Sequence, residues 1–182
     1  WEAVLELDKH TGVTDLIMDP RDPDVLYAAA HQRRRHVFTL VGGGPGSALY
    51  KTTDGGVNWE KLKRGLPSTV MGRIGLAVSP ANPDVIYAIV EAMNGQQGTY
   101  RSTNRGSSWK KMSDYVTSGN YYQEIVAHPT DVNTLFSMST YNMVSYDGGK
   151  VFQRLGEKDK HVDNHALWIN PENPDMKLAD QL

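Results

Sequence analysis

The chain of 182 residues contains no cysteine. That absence removes disulfides, thiolate metal sites and cysteine nucleophiles together. Neither charge is in surplus: 19 Lys and Arg stand against 21 Asp and Glu, a formal net charge of −2. A chain so balanced lacks the broad cationic field of a generic nucleic-acid binder, and no nucleic-acid partner is expected. Long apolar runs are missing as well. The stretch from Val85 to Val90 is among the longest, far below the roughly 18 residues that span a bilayer. No membrane span is expected, and the first residues do not read as a signal peptide. What remains is 39% hydrophobic, with 4 Trp, 17 Gly and 9 Pro. Glycine and proline fall between short β-branched and aromatic runs, a pattern of many strands and turns in one domain.

Self-similarity organises the chain. Met18-Asp19-Pro20-Arg21-Asp22-Pro23-Asp24-Val25-Leu26-Tyr27-Ala28 returns as Val78-Ser79-Pro80-Ala81-Asn82-Pro83-Asp84-Val85-Ile86-Tyr87-Ala88. Degraded copies start at Ala127-His128-Pro129 and Ile169-Asn170-Pro171. Each reads as strand, proline turn, strand, because proline presets φ and donates nothing to a ladder, whereas Val-Ile-Tyr-Ala suits a pleated sheet.

A second unit follows each of the first three. It has the form Ser/Thr-x-Asp/Asn-x-Gly-x-x-aromatic: Thr52, Asp54, Gly56 and Trp59, then Ser102, Asn104, Gly106 and Trp109, then Ser145, Asp147, Gly149 and Phe152. The acid or amide accepts hydrogen bonds from turn N–H groups, the glycine takes a positive φ, and the aromatic packs inward. Asn104 replaces the acid because its amide oxygen accepts equally.

These units resemble Asp-boxes, or BNR repeats, of the kind found in sialidases, xyloglucanases, sortilin-type receptors and photosystem II assembly factors. The resemblance covers nearly the whole chain. It implies an all-β fold, a β-propeller of four-stranded antiparallel blades with each box between third and fourth strands. Together with the GGGPGS loop, Gly42 to Ser47, and the Asn-His-Ala-Leu-Trp-Ile-Asn stretch, it is closest to large bacterial repeat proteins described as sortilin-like or glycosyl-hydrolase-like. It also implies a secreted or periplasmic protein. Trp1-Glu2-Ala3-Val4-Leu5 aligns with the box aromatic and the strand after it, as at Trp59. The expected organisation is part of one propeller domain: an outer strand of a preceding blade over 1–10, blades over 11–62, 70–112 and 119–155, and the start of another over 161–182. About three and a half blades do not close a ring, so further blades of the same polypeptide are expected. Met176 to Leu182 departs from the pattern, which would continue to Gly-Asn-Asp-Gly-Gly.

Aligning the proline units makes Gly12–Met18, Gly72–Val78, Tyr121–Ala127 and Asp163–Ile169 the innermost strands. Their starting ends gather Asp15, Arg73, Tyr121, Tyr122, Gln123, Glu124, His161, Asp163 and His165. Of these, Arg73, Tyr122, Glu124, His161, Asp163 and His165 form the expected ligand mouth of a central channel. Asp15, Glu124 and Asp163 are the carboxylates available for glycoside hydrolysis, which needs two carboxyls about 5 to 9.5 Å apart. Sialidase-type chemistry would place Arg73 on the substrate and Tyr122 as nucleophile. Strand alternation would set His161, Asp163 and His165 on one face, an alternative metal site. The same trio also reads as a network between neighbouring blades, and no metal is the primary expectation. The basic segment His31 to His36, followed by Gly42 to Gly46, reads as an insertion forming a mobile loop able to clamp an anionic ligand, or as a solvated strand end with a glycine-rich connection. Lacking Gly-Lys-Ser/Thr and a following helix, it is no phosphate loop, so no nucleotide and no cofactor is expected. Met93 to Gly98 reads as a hairpin turn, with Tyr100 resuming the strand. The functional expectation is a non-catalytic scaffold that binds protein or polysaccharide at the mouth; the alternative is a xyloglucanase- or sialidase-like glycoside hydrolase.

Overall fold

The computed structural model describes residues 2–156 and 161–179. All its regular elements are antiparallel strands, with no helix among the described residues. The first sheet contains β1 (Thr11–Asp19), β2 (Asp22–His36), β4 (Ala48–Thr52) and β5 (Glu60–Leu62) in that order, while β3 (Thr39–Gly42) pairs with the far end of β2. The second runs β6 (Met71–Val78), β7 (Ile86–Ala92), β8 (Gly98–Ser102) and β9 (Lys110–Ser113). The third runs β10 (Ile125–Ala127), β11 (Leu135–Ser137), β12 (Met143–Ser145) and β13 (Gln153–Arg154), and β14 (Leu167–Ile169) pairs with β15 (Lys177–Ala179). The result is an all-β partial propeller of three blades and an inner hairpin.

The repeated residues occupy equivalent registers. Leu16 pairs with Ala28 and Ala28 with Tyr50, just as Leu76 pairs with Ala88 and Ala88 with Tyr100. Alternation sends Val25, Tyr27 and Ala29 toward the second blade, where they meet Ile74, Leu76, Ile86 and Trp109 in one core. Tyr87 and Ile89 pack likewise against Ile125 and Leu135. Phe136, Met138 and Val144 close on Ile169. Each fully buried side chain of this size contributes about 1.5 to 3 kcal/mol, so the blade interfaces carry the fold. Tyrosine adds a directional bond. Tyr27 Oη donates to Arg105 O (3.0 Å) in the next blade, and Tyr87 Oη donates to Val132 O (2.6 Å) in the one after.

The Ser/Thr-Asp/Asn-Gly turns lie between third and fourth strands with one geometry. Gly56, Gly106 and Gly149 N–H donate to Thr52 Oγ1, Ser102 Oγ and Ser145 Oγ at 3.0, 2.9 and 2.9 Å. Each glycine has a positive φ. Asn58 N–H donates to Asp54 (2.9 Å) as Ser108 N–H does to Asn104 (2.9 Å). The Asn58 amide, then Thr52 and the Asn58 side chain, hold the Asp54 carboxyl down at about 2. Gly55, Arg105 and Gly148 N–H then donate to carbonyls of the proline turns, Asp24, Asp84 and Asn133. These turns and the proline turns therefore share one face of the arc. The starts of the inner strands share the other with the hairpins that follow the second strands.

Several expectations need correction. β1 and β6 begin as expected, but β10 and β14 begin at Ile125 and Leu167, four residues later than Tyr121 and Asp163. Gln123 (φ 142°) and Asp163 (φ 73°) turn the backbone away from a ladder. Residues 2–10 contain no strand, only a bridge between Asp8 and Thr11, and Trp1 lies outside the described residues, as do residues 180–182. The basic segment is not a free loop: Arg33 to His36 pair with Gly42 to Thr39 in a hairpin turning at Val37-Phe38. Met93 to Gly95 do form a turn, with Asn94 and Gly95 at positive φ.

Candidate functional site

The candidate mouth begins on β1, where a bulge between Val13 and Asp15 shifts the register. The half-buried Asp15 reaches the second blade: Leu76 N–H donates to Asp15 Oδ2 at 2.7 Å. Burial pushes the Asp15 carboxyl above its ordinary range, and the charge of nearby Glu124 adds to this, while the Leu76 hydrogen bond opposes it.

Arg73 on β6 is the hub. Its Nη2 pairs with Glu124 Oε1 at 2.7 Å, its backbone N–H donates to Glu91 Oε2 at 3.1 Å, and its carbonyl accepts from Gln123 Nε2 at 3.2 Å. Glu124 Oε2 is buried with no hydrogen-bond partner. Thr14, Asp15, Arg73, Gly75, Gln123 and Glu124 line a cleft of about 170 Å³. Two glycines seat the Glu91 carboxylate, since a Cβ on Gly72 or Gly119 would come within 2.2 or 2.3 Å of Oε2. Gly75 permits the closest approach: a Cβ there would stand 1.5 Å from Gln123 O.

A second cluster follows directly along the chain. Tyr122 Oη donates to Asp163 Oδ1 at 2.6 Å and stacks on His165, ring centroids 5.1 Å apart. That hydrogen bond raises the Tyr122 phenol. Asn164, fully buried, ties the segment to the third blade: its backbone N–H donates to Ser139 O, its Nδ2 to Ser139 O and Thr140 O, and its Oδ1 accepts from Asn142 Nδ2 at 3.2 Å. Asp163 is thereby held in a left-handed conformation unusual for a residue with a side chain.

The structure thus brings Asp15, Arg73 and Glu124 together, and separately Tyr122, Asp163 and His165. His161 turns to its own neighbour, with Nδ1 2.7 Å from Val162 O. His161 to His165 lie before β14, so strand alternation does not align them. Among the described residues no three His, Asp or Glu side chains form a metal-ligating group. Sequence reasoning passed over Glu91 and Asn164. Glu91 was detectable, because it follows Tyr87 at the offset by which His31 follows Tyr27.

No family model matches this chain. Its curated relatives include xyloglucanase Xgh74A of Acetivibrio thermocellus, 30% identical over 132 residues, which cover 66% of this chain and 15% of the relative. Another is a xyloglucanase of Hypocrea jecorina, 27% identical over 128 residues, 67% of this chain and 14% of the relative. The chain therefore spans about a seventh of the length of these relatives. Among solved structures, the Niastella koreensis GH74 enzyme superposes with a TM-score of 0.59 at 22% identity, over 89% of this chain and 25% of that one. YCF48 from Cyanidioschyzon merolae gives 0.55 at 17% identity, over 84% and 39%. These likenesses agree with the blade architecture.

Proposed function

We propose that this arc supplies a polysaccharide-binding mouth to a secreted or periplasmic β-propeller, and that its three turns are Asp-boxes whose role is structural. One observation carries the reading. Two polar clusters, Asp15-Arg73-Glu124 and Tyr122-Asp163-His165, converge on the inner-strand ends and are fixed by hydrogen bonds across blades. Charged groups flanking a stacked aromatic are the equipment for sugar hydroxyls and the C–H face of a pyranose ring. The xyloglucanase relatives favour polysaccharide over protein as the ligand. Calorimetry of the purified protein with xyloglucan oligosaccharides tests this. Binding that weakens about tenfold in Tyr122→Ala supports the reading; a folded protein that binds neither neutral nor acidic glycan chains overturns it.

A second reading, glycoside hydrolysis, draws on Asp15. Burial raises its carboxyl pKa, whereas Glu124 in the same cleft is ion-paired with Arg73, so the two carboxyls sit in the unlike environments that a general acid and its partner carboxyl require. Release of reducing ends, lost in both Asp15→Asn and Glu124→Gln while binding persists, would support hydrolysis. Xyloglucan binding with no turnover would leave the non-catalytic mouth.

A further inference from the structure

The β2–β3 hairpin rises on the same face as the mouth and plays no part in either cluster. Arg33, Arg34, Arg35 and His36 are exposed along β2, and no Asp or Glu occurs from Val25 to Thr53. Among the described residues the three arginines form no ion pair, whereas Arg21, Arg73 and Arg105 are all paired with carboxylates. At the tip, Phe38 is 87% exposed and stacks on His36, ring centroids 5.7 Å apart.

The base of the hairpin packs against the strand and turn that border the mouth. Gly44 N–H donates to Met71 O at 3.1 Å, and a Cβ on Gly42 would lie 3.7 Å from Asn120 Oδ1, just ahead of Tyr121 and Tyr122. Between hairpin and mouth sits His31, 5% exposed, with Nε2 buried and unpartnered. Burial, then the nearby charges of Arg73 and Arg33, lower its pKa. Alternation along β2 puts His31, Arg33 and Arg35 on one side of the strand, so the unpaired arginines lead toward the unused donor or acceptor of His31.

We infer that the ligand of the mouth is an acidic polysaccharide whose carboxylate or sulfate groups engage the hairpin arginines, a conclusion that rests on the polysaccharide reading above. Guanidinium groups bind both anions through paired N–H donors. The exposed Phe38 offers a flat apolar face to the intervening sugar rings.

The test compares oligogalacturonate, sulfated carrageenan oligosaccharide and neutral xyloglucan oligosaccharide on the purified protein. It uses wild type, the Arg33→Ser/Arg34→Ser/Arg35→Ser variant and Phe38→Ala, all confined to the exposed ribbon. An acidic chain binding about tenfold tighter than the neutral one at low salt, with that preference lost in the triple variant and at high salt, is the expected result. Galacturonate and carrageenan then distinguish carboxylate from sulfate. Equal affinity for neutral and acidic chains overturns this inference and leaves the polysaccharide reading intact. Absence of binding to every glycan overturns both. Arginine-dependent binding to phosphatidylglycerol vesicles without any glycan preference overturns it in favour of a lipid surface.

Discussion

The first two blades and the remainder of the arc hold the inner-strand ends by different means. In blades one and two the inner strands, Thr11–Asp19 and Met71–Val78, are long, and 15 buried residues form one core between them. In blade three and the last hairpin the inner strands shrink to Ile125–Ala127 and Leu167–Ile169. Side-chain hydrogen bonds take over there: Gln123 to Arg73 O, Tyr122 to Asp163, and Asn164 to Ser139 and Thr140. The first half is a ladder-and-core scaffold and the second a polar lacework. The lesson is that residues freed from the ladder became available to tie neighbouring segments together through their side chains.

The strongest way to break this contrast is at the seam. Gly75→Ala would drive a Cβ into the Gln123 carbonyl and is expected to cost about 3 kcal/mol or more in urea denaturation, because backbone on both sides resists the shift. Asn164→Ala comes next, at about 2 kcal/mol, since it leaves buried carbonyls unpaired. Hydrogen exchange should show that loss over 139–142 and 161–169 while β1, β2, β6 and β7 keep their protection; protection lost equally everywhere would erase the distinction. Tyr87→Phe removes only the bond to Val132 O and is expected to cost about 1 kcal/mol. The smallest effect is Asp54→Asn, which copies Asn104 of the second blade. Asp54 is depressed from 3.8 to about 2 in the fold, so its contribution is present above 3.8 and lost as pH falls through about 2. The variant should match wild-type melting at neutral pH and show a shallower decline across that acid window.

The sequence made the scaffold half legible and the lacework half only in part. Paired prolines and the Ser/Thr-Asp/Asn-Gly turns announced the strands because each forces local backbone geometry. The same alignment extended β10 and β14 too far, since it could not register that Gln123 and Asp163 take positive φ. The gathering of Asp15, Arg73 and Glu124 in one cleft was legible, because inner-strand starts converge wherever blades repeat. The stacking of Tyr122 on His165 and the anchoring by Asn164 depend on contacts between residues 22 to 43 positions apart, which no local pattern encodes.

The reach of Tyr27 and Tyr87 into the following blade has a mechanical corollary. Phe136 stands at the third equivalent position and has no hydroxyl to extend. In a structure whose energy is a sum over adjoining repeats, the joints are thus graded. Pulled from its two ends, the arc should part first where blade three meets the final hairpin, while blades one and two come away together at higher force.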